Sequence, residues 1–412
     1  GILVLRKPKG NGEIGQQGLT FDKLKEAVMG VIEVVRRRNN GADVLRSRAL
    51  QNELRQYQQD PTVQLAIPNY IFSTSDLPNT HLAQVQWAFL NKHNPGNTAN
   101  WVNVADRIAT IRPSLVGVVD KGIHISDPRL QPALWVNKGE VPGNNKDDDG
   151  NGLIDDVHGF NFVSKTATLD WGRDADNHGS FCASQIAARQ IGDTNDVISV
   201  APNASVITSV VLGADGAGEF SAILEGIGYA AANGAKVINL SLGGQCDASS
   251  LKALAESDFF KILKGMNVVL VAAAGNENTN IDEIGYFPAG LPVDNLITVA
   301  AIDADGMPGR GFRNGVWQQY TNYGAREVDM AAPGSQMLGV RSYGKTEMWD
   351  GTSMAAPMVT GTVALIQGMH PDWDYKTVIR AVTESVRPYE SLQGVVRTGG
   401  SLDIEAALDW TP

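Results

Sequence analysis

The chain has 412 residues, 43% of them apolar and 19% charged, enough for a sizeable buried core and too apolar for a mainly disordered chain. With 34 Lys and Arg against 45 Asp and Glu, the formal charge is −11, which offers no electrostatic reason to bind nucleic acid or an anionic membrane. No apolar run reaches the roughly 18 residues of a membrane span, and two cysteines, Cys182 and Cys246, cannot staple a disulfide scaffold or form a CxxC metal pair.

In chain order, Ile2 to Leu5 reads as a short strand with no signal-like basic or apolar region, so no signal peptide is expected within this chain. Phe21, Leu24, Val28, Val31 and Val35 recur at helical spacing, with Thr20 placed to cap the start and Asn39-Asn40-Gly41 to stop the run. A polar helix is expected from about Val44 to Gln59, ended by Asp60-Pro61. Val63, Leu65 and Ile67 then alternate as one face of a strand. Residues 1–72 thus form a small α+β unit, marginal on its own and expected to lean on a partner surface.

Residues 73–412 form the second unit. It opens with an irregular wrapping segment to about residue 113, anchored by Trp87, Phe89 and Trp101. Short, apolar, β-branched runs follow at Leu115-Val119, Ser205-Val211, Lys236-Leu240, Asn267-Ala272 and Leu296-Ala300, with helical stretches near 219–233 and 251–264. Buried strands joined by crossover helices predict an α/β fold, a mostly parallel sheet with helices on both faces. In such sheets ligands sit at the carboxyl ends of the strands.

Three segments carry candidate chemistry. Asp120 ends the strand pattern Gly117-Val118-Val119; alone it is most simply an Asp capping a turn. Asn177-His178-Gly179-Ser180 precedes an apolar helix pattern, where a lone His is more often a helix-start residue than a catalyst. Gly351-Thr352-Ser353-Met354-Ala355-Ala356-Pro357 opens another helix, and a serine there is commonly an N-cap. Taken together the three resemble the subtilisin-like serine proteases, the subtilases, over about Leu115 to Leu408. The same resemblance takes in Ala272-Ala273-Ala274-Gly275-Asn276-Glu277, Asn239-Leu240-Ser241-Leu242-Gly243-Gly244, Asn322-Tyr323-Gly324 and Ala332-Pro333-Gly334. The order Asp, His, Ser is that of subtilisin, whereas an α/β-hydrolase esterase would need G-x-S-x-G, and residue 355 is Ala.

The resemblance implies a serine endopeptidase. Ser353 would be the nucleophile and His178 the base, with Asp120 holding the imidazole tautomer. Asn276 and the backbone N–H of Ser353 would receive the developing oxyanion. A polypeptide substrate would add as a strand between Gly216-Ala217-Gly218 and Ser241-Leu242-Gly243, with Ala274 and Gly275 in the small-residue wall of the S1 pocket, open to a large apolar P1 side chain. Departures from the family pattern are Lys121 after the acid, Phe181 in place of a second His, and Cys182 beneath the site.

The family's usual calcium position near the catalytic acid carries Arg129, two residues after Asp127, which puts that site in doubt. Asp147, Asp149 and Asn151, followed by Gly152 and Asp155, are a better candidate for a structural Ca²⁺, spaced like the start of an EF-hand loop but with His158 where its final Glu would stand. A solvated acidic loop is the plainer alternative. Residues 1–72 resemble a subtilase propeptide, which would act as folding template and lie in the active-site cleft, with self-cleavage near Tyr70 to Leu77; a fixed N-terminal extension is the other reading. The expected location is secreted or extracytoplasmic. The alternatives to an active endopeptidase are a stably self-inhibited zymogen and a pseudoprotease that binds peptides without turnover.

Overall fold

The computed structural model describes residues 2–6, 32–35, 48–61, 63–68, 71–74, 77–78, 86–90, 97–172, 175, 177–189, 197–313, 315–341 and 345–412. At the N-terminus, β1 (Ile2–Arg6), β2 (Ile32–Val35) and β3 (Val63–Pro68) form an antiparallel sheet in the order β2-β1-β3. Helix α1 (Arg48–Gln59) lies over β3, where Leu54, Tyr57 and Val63 pack around Ala66. The helix expected through Val35 does not reach that residue: Ile32 to Val35 pair with β1, Ile2 opposite Val35 and Leu5 opposite Ile32. A β-branched run beside an unpaired strand gains more from the ladder than from continuing a helix. The rest of that expectation, residues 20–31, lies outside the described residues.

Two short strands follow, β4 (Ile71–Thr74) and β5 (Leu77–Pro78), neither of which joins the central sheet. The wrapping segment then anchors itself with aromatic rings. Trp87 is buried and donates its indole N–H to the carbonyl of Ser335 at 2.8 Å, and Phe89 meets Trp101 edge-on with ring centroids 5.6 Å apart.

The central sheet is built from β6 (Leu115–Asp120), β7 (Gly159–Asn161), β8 (Ser205–Val210), β10 (Val237–Leu240), β12 (Val269–Ala273), β14 (Leu296–Ile302), β17 (Met330–Pro333), β20 (Arg387–Pro388) and β21 (Gly400–Ser401). Its order is β20-β21-β17-β14-β12-β10-β6-β8-β7, parallel throughout except for the edge pair β20–β21. Consecutive residues of β6 and β12 enter opposite cores. Val116 and Val118 of β6, and Val269, Val271 and Ala273 of β12, belong to one. Val119, Leu270 and Ala272 belong to the other. A strand buried on both faces has no polar alternation, which is why these runs read as continuously apolar.

The helices that matter for the site are α2 (His178–Ala187), α3 (Phe220–Ala232) and α4 (Thr352–Met369). The helical stretch expected near 251–264 is two helices, Ala248–Ala255 and Asp258–Gly265, separated where Ser257 is extended. Three small sheets flank the main one. The first has the order β13-β11-β4-β9, with β9 (Ala217–Glu219), β11 (Leu242–Gln245) and β13 (Tyr286–Phe287). The second is the hairpin of β15 (Arg310–Arg313) and β16 (Val316–Gln319). The third has the order β18-β19-β5, with β18 (Met337–Val340) and β19 (Thr346–Asp350).

Candidate active site

Asp120 is the last residue of β6, at the carboxyl edge of the sheet, and is 1% exposed. Its Oδ1 accepts hydrogen bonds from the Lys121 backbone N–H at 2.6 Å and from His178 Nδ1 at 2.6 Å. Such a bond leaves Nε2 as the proton-accepting nitrogen of a neutral imidazole. His178 opens α2, and the next residue must be small. A Cβ on Gly179 would stand 2.6 Å from the Gly122 carbonyl and 3.1 Å from Cβ of Asp120. The short side chain lets the first turn of α2 press against the end of β6, which brings acid and imidazole together.

Ser353 is the second residue of α4 and is fully buried. Its Oγ donates to the carbonyl of Ser241 at 3.2 Å. The Ser353 carbonyl accepts from Ser241 Oγ at 2.9 Å, and Ser241 Oγ accepts from Asn239 Nδ2 at 2.9 Å, so β10 and the start of β11 hold the first turn of α4. Cys182 lies beneath, its Sγ 3.5 Å from the same carbonyl and 3.8 Å from His178 Nδ1. Burial pushes the Cys182 thiol up to about 11, and burial beside Asp247 pushes Cys246 up to about 12, so both are neutral thiols at physiological pH. Both cysteines are free.

Asn276 follows β12. Its Oδ1 accepts from the backbone N–H of Thr352 at 2.9 Å and from Thr352 Oγ1 at 2.9 Å. With the carboxamide oxygen tied to the first residue of α4, the amino group of Asn276 faces the other way. Thr352 Oγ1 also accepts from the Gly275 N–H at 3.1 Å. Thr352 is the orienting residue that sequence reading passed over, although it stands in the quoted heptad. Asn322 is a second. Its Oδ1 accepts the N–H groups of Glu277 at 3.0 Å and Thr279 at 2.9 Å, and its Nδ2 donates to the Ala274 carbonyl at 3.0 Å. Gly275 has φ +102°, and a Cβ there would lie 2.2 Å from Asn322 Nδ2, so the turn closes only on glycine.

The two segments expected to flank a substrate are separated by one strand, and that strand is β4 of the same chain. Phe72 is opposite Gly218 and Ser73 opposite Ala217 on one side; Ser73 is opposite Gly243 and Thr74 opposite Leu242 on the other. Gly216 forms the turn before β9 with φ +80°. Beyond the cleft, Leu77 is opposite Asp350 and Pro78 opposite Trp349. Trp349 also stacks on Phe181, with centroids 5.0 Å apart and planes 5° apart, and lies 5.8 Å from the His178 ring.

The acidic loop brings together only part of its expected set. Glu140, Asp147 and Asp149 offer ligand atoms that all lie within 4.8 Å of one another. Asp155 instead accepts the N–H groups of Asn144 at 3.1 Å and Asn145 at 2.9 Å, at the loop entrance. Asn151 turns its amino group, not its oxygen, toward Asp149 at 3.2 Å and Asp156 at 3.0 Å. Burial raises Asp156 to about 6 despite hydrogen bonds from Tyr229, Asn151 and Asn137. At the other calcium position, Arg129 forks onto Asp127, Nε to Oδ1 at 2.9 Å and Nη2 to Oδ2 at 2.8 Å. Burial alone would raise the Asp127 pKa; the Arg129 guanidinium overrides it and holds the carboxyl below its usual range.

A sequence model of the subtilase family matches residues 112–399, more than half of the chain. Subtilisin DY of Bacillus licheniformis is 35% identical over 217 residues, covering 52% of this chain and 71% of that protein. Subtilisin NAT of Bacillus subtilis subsp. natto is 33% identical over 219 residues, covering 53% of this chain and 52% of its own length. Among solved structures, that of a cold adapted subtilisin-like serine proteinase superposes with a TM-score of 0.53 at 22% identity, covering 71% of this chain and 88% of the other.

Proposed function

The chain belongs to the subtilase family and is a subtilisin-like serine endopeptidase, and from that premise we propose that it cuts polypeptides with Ser353 as nucleophile, His178 as base and Asp120 as its orienter. The observation that carries this reading is the 2.6 Å Asp120–His178 bond at the sheet edge, with Ser353 opening the neighbouring helix. Ser353 Oγ would attack the scissile carbonyl carbon and pass its proton to His178 Nε2. The imidazolium, stabilised by Asp120, would give that proton to the leaving amine as the C–N bond breaks. Water would then enter by the reverse route to release the acyl group. The negative charge of each tetrahedral intermediate would fall between the amino group of Asn276 and the Ser353 backbone N–H at the start of α4. Ala274 and Gly275 would wall the S1 pocket.

The N-terminal unit is read as a prodomain, with the chain made as a zymogen and residues 1–72 inhibiting 73–412. Support comes from β4, which takes the place of a substrate strand between β9 and β11. Thr74 is opposite Leu242, the residue after Ser241, whose carbonyl accepts from Ser353 Oγ, which supports self-cleavage near Tyr70 to Leu77. Ser75 and Asp76 themselves lie outside the described residues. A strand held there also supports the stably self-inhibited form as the second reading.

A structural Ca²⁺ is proposed at Glu140, Asp147 and Asp149. The donor set fits a hard cation. Each carboxylate already accepts backbone or amide N–H groups, and each keeps lone pairs to spare. The bound ion would neutralise the crowded acids and stiffen the loop. No helix of the described residues is long and apolar enough to cross a membrane. An extracytoplasmic location is proposed on the calcium loop and on the kinship with subtilisins.

The test is intact mass after a fluorophosphonate, on the full chain and on Ser353→Ala. The reading expects one adduct on the unmodified chain only, together with loss of the N-terminal residues up to a point between 70 and 77. An adduct on the Ser353→Ala chain would overturn the assignment. A folded chain with neither adduct nor cleavage would favour the self-inhibited form, and brief treatment with a second protease should then release activity.

A further inference from the structure

Two neighbouring strands of the central sheet lead to opposite sides of the candidate site. Leu240 of β10 is opposite Ala272 of β12 in a parallel pair, so residues 241–243 and 274–276 leave the carboxyl edge of the sheet side by side. The first segment meets Ser353 Oγ through the Ser241 carbonyl, and the second ends at Asn276, tied to Thr352. On the endopeptidase reading, a residue whose carbonyl carbon meets Ser353 and whose oxygen meets Asn276 sends its side chain into the space between these segments. Gly243 borders that space on one side and Gly275 on the other.

The ring of Tyr286 reaches both of them. A Cβ on Gly243 would stand 2.8 Å from Tyr286 Cε1, and a Cβ on Gly275 would stand 2.6 Å from Tyr286 Cζ and 2.5 Å from its hydroxyl oxygen. Cε1 and Cζ are bonded neighbours, so the tip of one ring touches both glycines. The ring is held there. Tyr286 is 2% exposed, and β13 fixes its backbone opposite Gln245 of β11. Its hydroxyl donates to Glu277 Oε2 at 3.2 Å and Oε1 at 3.3 Å, and Asn322 Nδ2 positions that carboxylate with a bond of 2.6 Å. Swinging the ring aside would break its bonds to a charged acceptor, among the stronger hydrogen bonds of a protein. Nonbonded carbons pack at about 3.5–4.0 Å, so a gap whose two sides already touch one ring has no room for a second.

We propose that Tyr286 closes the floor of the S1 pocket and restricts the residue before the scissile bond to a small one, Gly, Ala or Ser. The proposal rests on the endopeptidase reading above and names the class of peptide that it selects. It replaces the large apolar P1 side chain expected from the small-residue wall. Ala274 and Gly275 leave space along their own segment, and a side chain from another strand fills it.

The test uses p-nitroanilides that share every residue before P1 and carry Ala, Phe or Lys at P1. The full chain is matured by its own cleavage or by the second protease, and each rate is taken per site titrated with the fluorophosphonate. The unmodified protein should prefer Ala over Phe in kcat/KM by at least about tenfold. Tyr286→Gly should shift the ratio toward Phe by about a hundredfold, within the range over which an apolar pocket discriminates by size. Should that variant not fold, Tyr286→Leu, which keeps an apolar side chain in the core, should still shift it by about tenfold. Tyr286→Phe keeps the ring and should keep the preference. Phe cleaved as well as Ala by the unmodified protein would overturn the proposal, whatever the variants do. So would a preference for Lys, which would make Glu277 a counter-charge at the pocket base, or an unchanged ratio in a folded Tyr286→Gly. No hydrolysis and no fluorophosphonate adduct in matured protein would instead overturn the endopeptidase reading beneath it.

Discussion

At the residue scale, the side chains proposed to meet the substrate depend on neighbours that hold them. Asn276 is turned by Thr352, which takes its oxygen with both a backbone N–H and a hydroxyl at 2.9 Å. Asn276→Ala should lower kcat by about 10²–10³ with little change in KM, the range known for such a donor in subtilisin itself. Thr352→Val keeps the shape and the backbone N–H but removes the hydroxyl. We expect kcat to fall by about tenfold, because a turned but looser amide still reaches the oxyanion. An equal rise in KM for Thr352→Val would point to a general packing defect. Cys182 illustrates the opposite case, a reactive element made inert by place. With its thiol pushed up to about 11, native protein at neutral pH should resist iodoacetamide at Cys182 and react there once unfolded, as peptide mapping would reveal.

At the element scale, the segment after β6 holds an internal ion pair at the position where Arg129 had put the family's usual calcium site in doubt. Asp127 and Arg129 are 1% and 4% exposed, and the guanidinium meets the carboxylate with two bonds. Arg129→Met strands a buried carboxylate and should cost about 3–5 kcal/mol of stability by urea unfolding. The pH dependence has a definite sign. In the parent protein the Asp127 pKa lies below its unfolded value, so its stabilisation is complete above the unfolded pKa. It is lost as pH falls through the folded one. In the variant the guanidinium is gone, and burial, the largest influence on that carboxyl, is opposed only by the residue 129 backbone N–H and by His124, so the pKa rises and protonation relieves part of the strain. The stability gap should be widest at neutral pH and narrow on acidification. A gap that widens in acid would contradict the buried-pair account. The N-terminal strand β2 teaches a related lesson. Val31 and Val35 fit a helical period, yet a strand partner in β1 decides the conformation of Ile32–Val35.

At the scale of the whole molecule, two proposals concern parts that fold around one another. If Glu140, Asp147 and Asp149 hold calcium, EDTA should lower the unfolding temperature and added Ca²⁺ should restore it. A free concentration of 100 Kd corresponds to about 2.7 kcal/mol. Asp147→Asn should abolish that response, whereas Asp155→Asn should leave it largely intact, since Asp155 caps the loop entrance instead. If residues 1–72 are a prodomain, a separately supplied 1–75 fragment should inhibit the matured enzyme on a peptide substrate. Failure to inhibit at high micromolar concentration would favour a fixed extension.

The subtilase family and the candidate catalytic residues were legible in the sequence because their signals are local. Asp120 ends a strand, His178 and Ser353 lie in the first turns of helices, and Asn276 follows a strand by three residues, all beside clear apolar patterns, so these candidates could be picked out from residue type and order. The parallel sheet was legible for the same reason: a strand covered on both faces has no room for polar residues. What the sequence could not determine by itself were partnerships between distant segments. That Thr352 turns Asn276, that Arg129 closes on Asp127, and that Glu140 rather than Asp155 joins the acidic cluster are outcomes of packing. The same holds for β4 lying between β9 and β11. Hydrogen-bond geometry and strand register are properties of folded distances, and spacing along the chain carries no record of them.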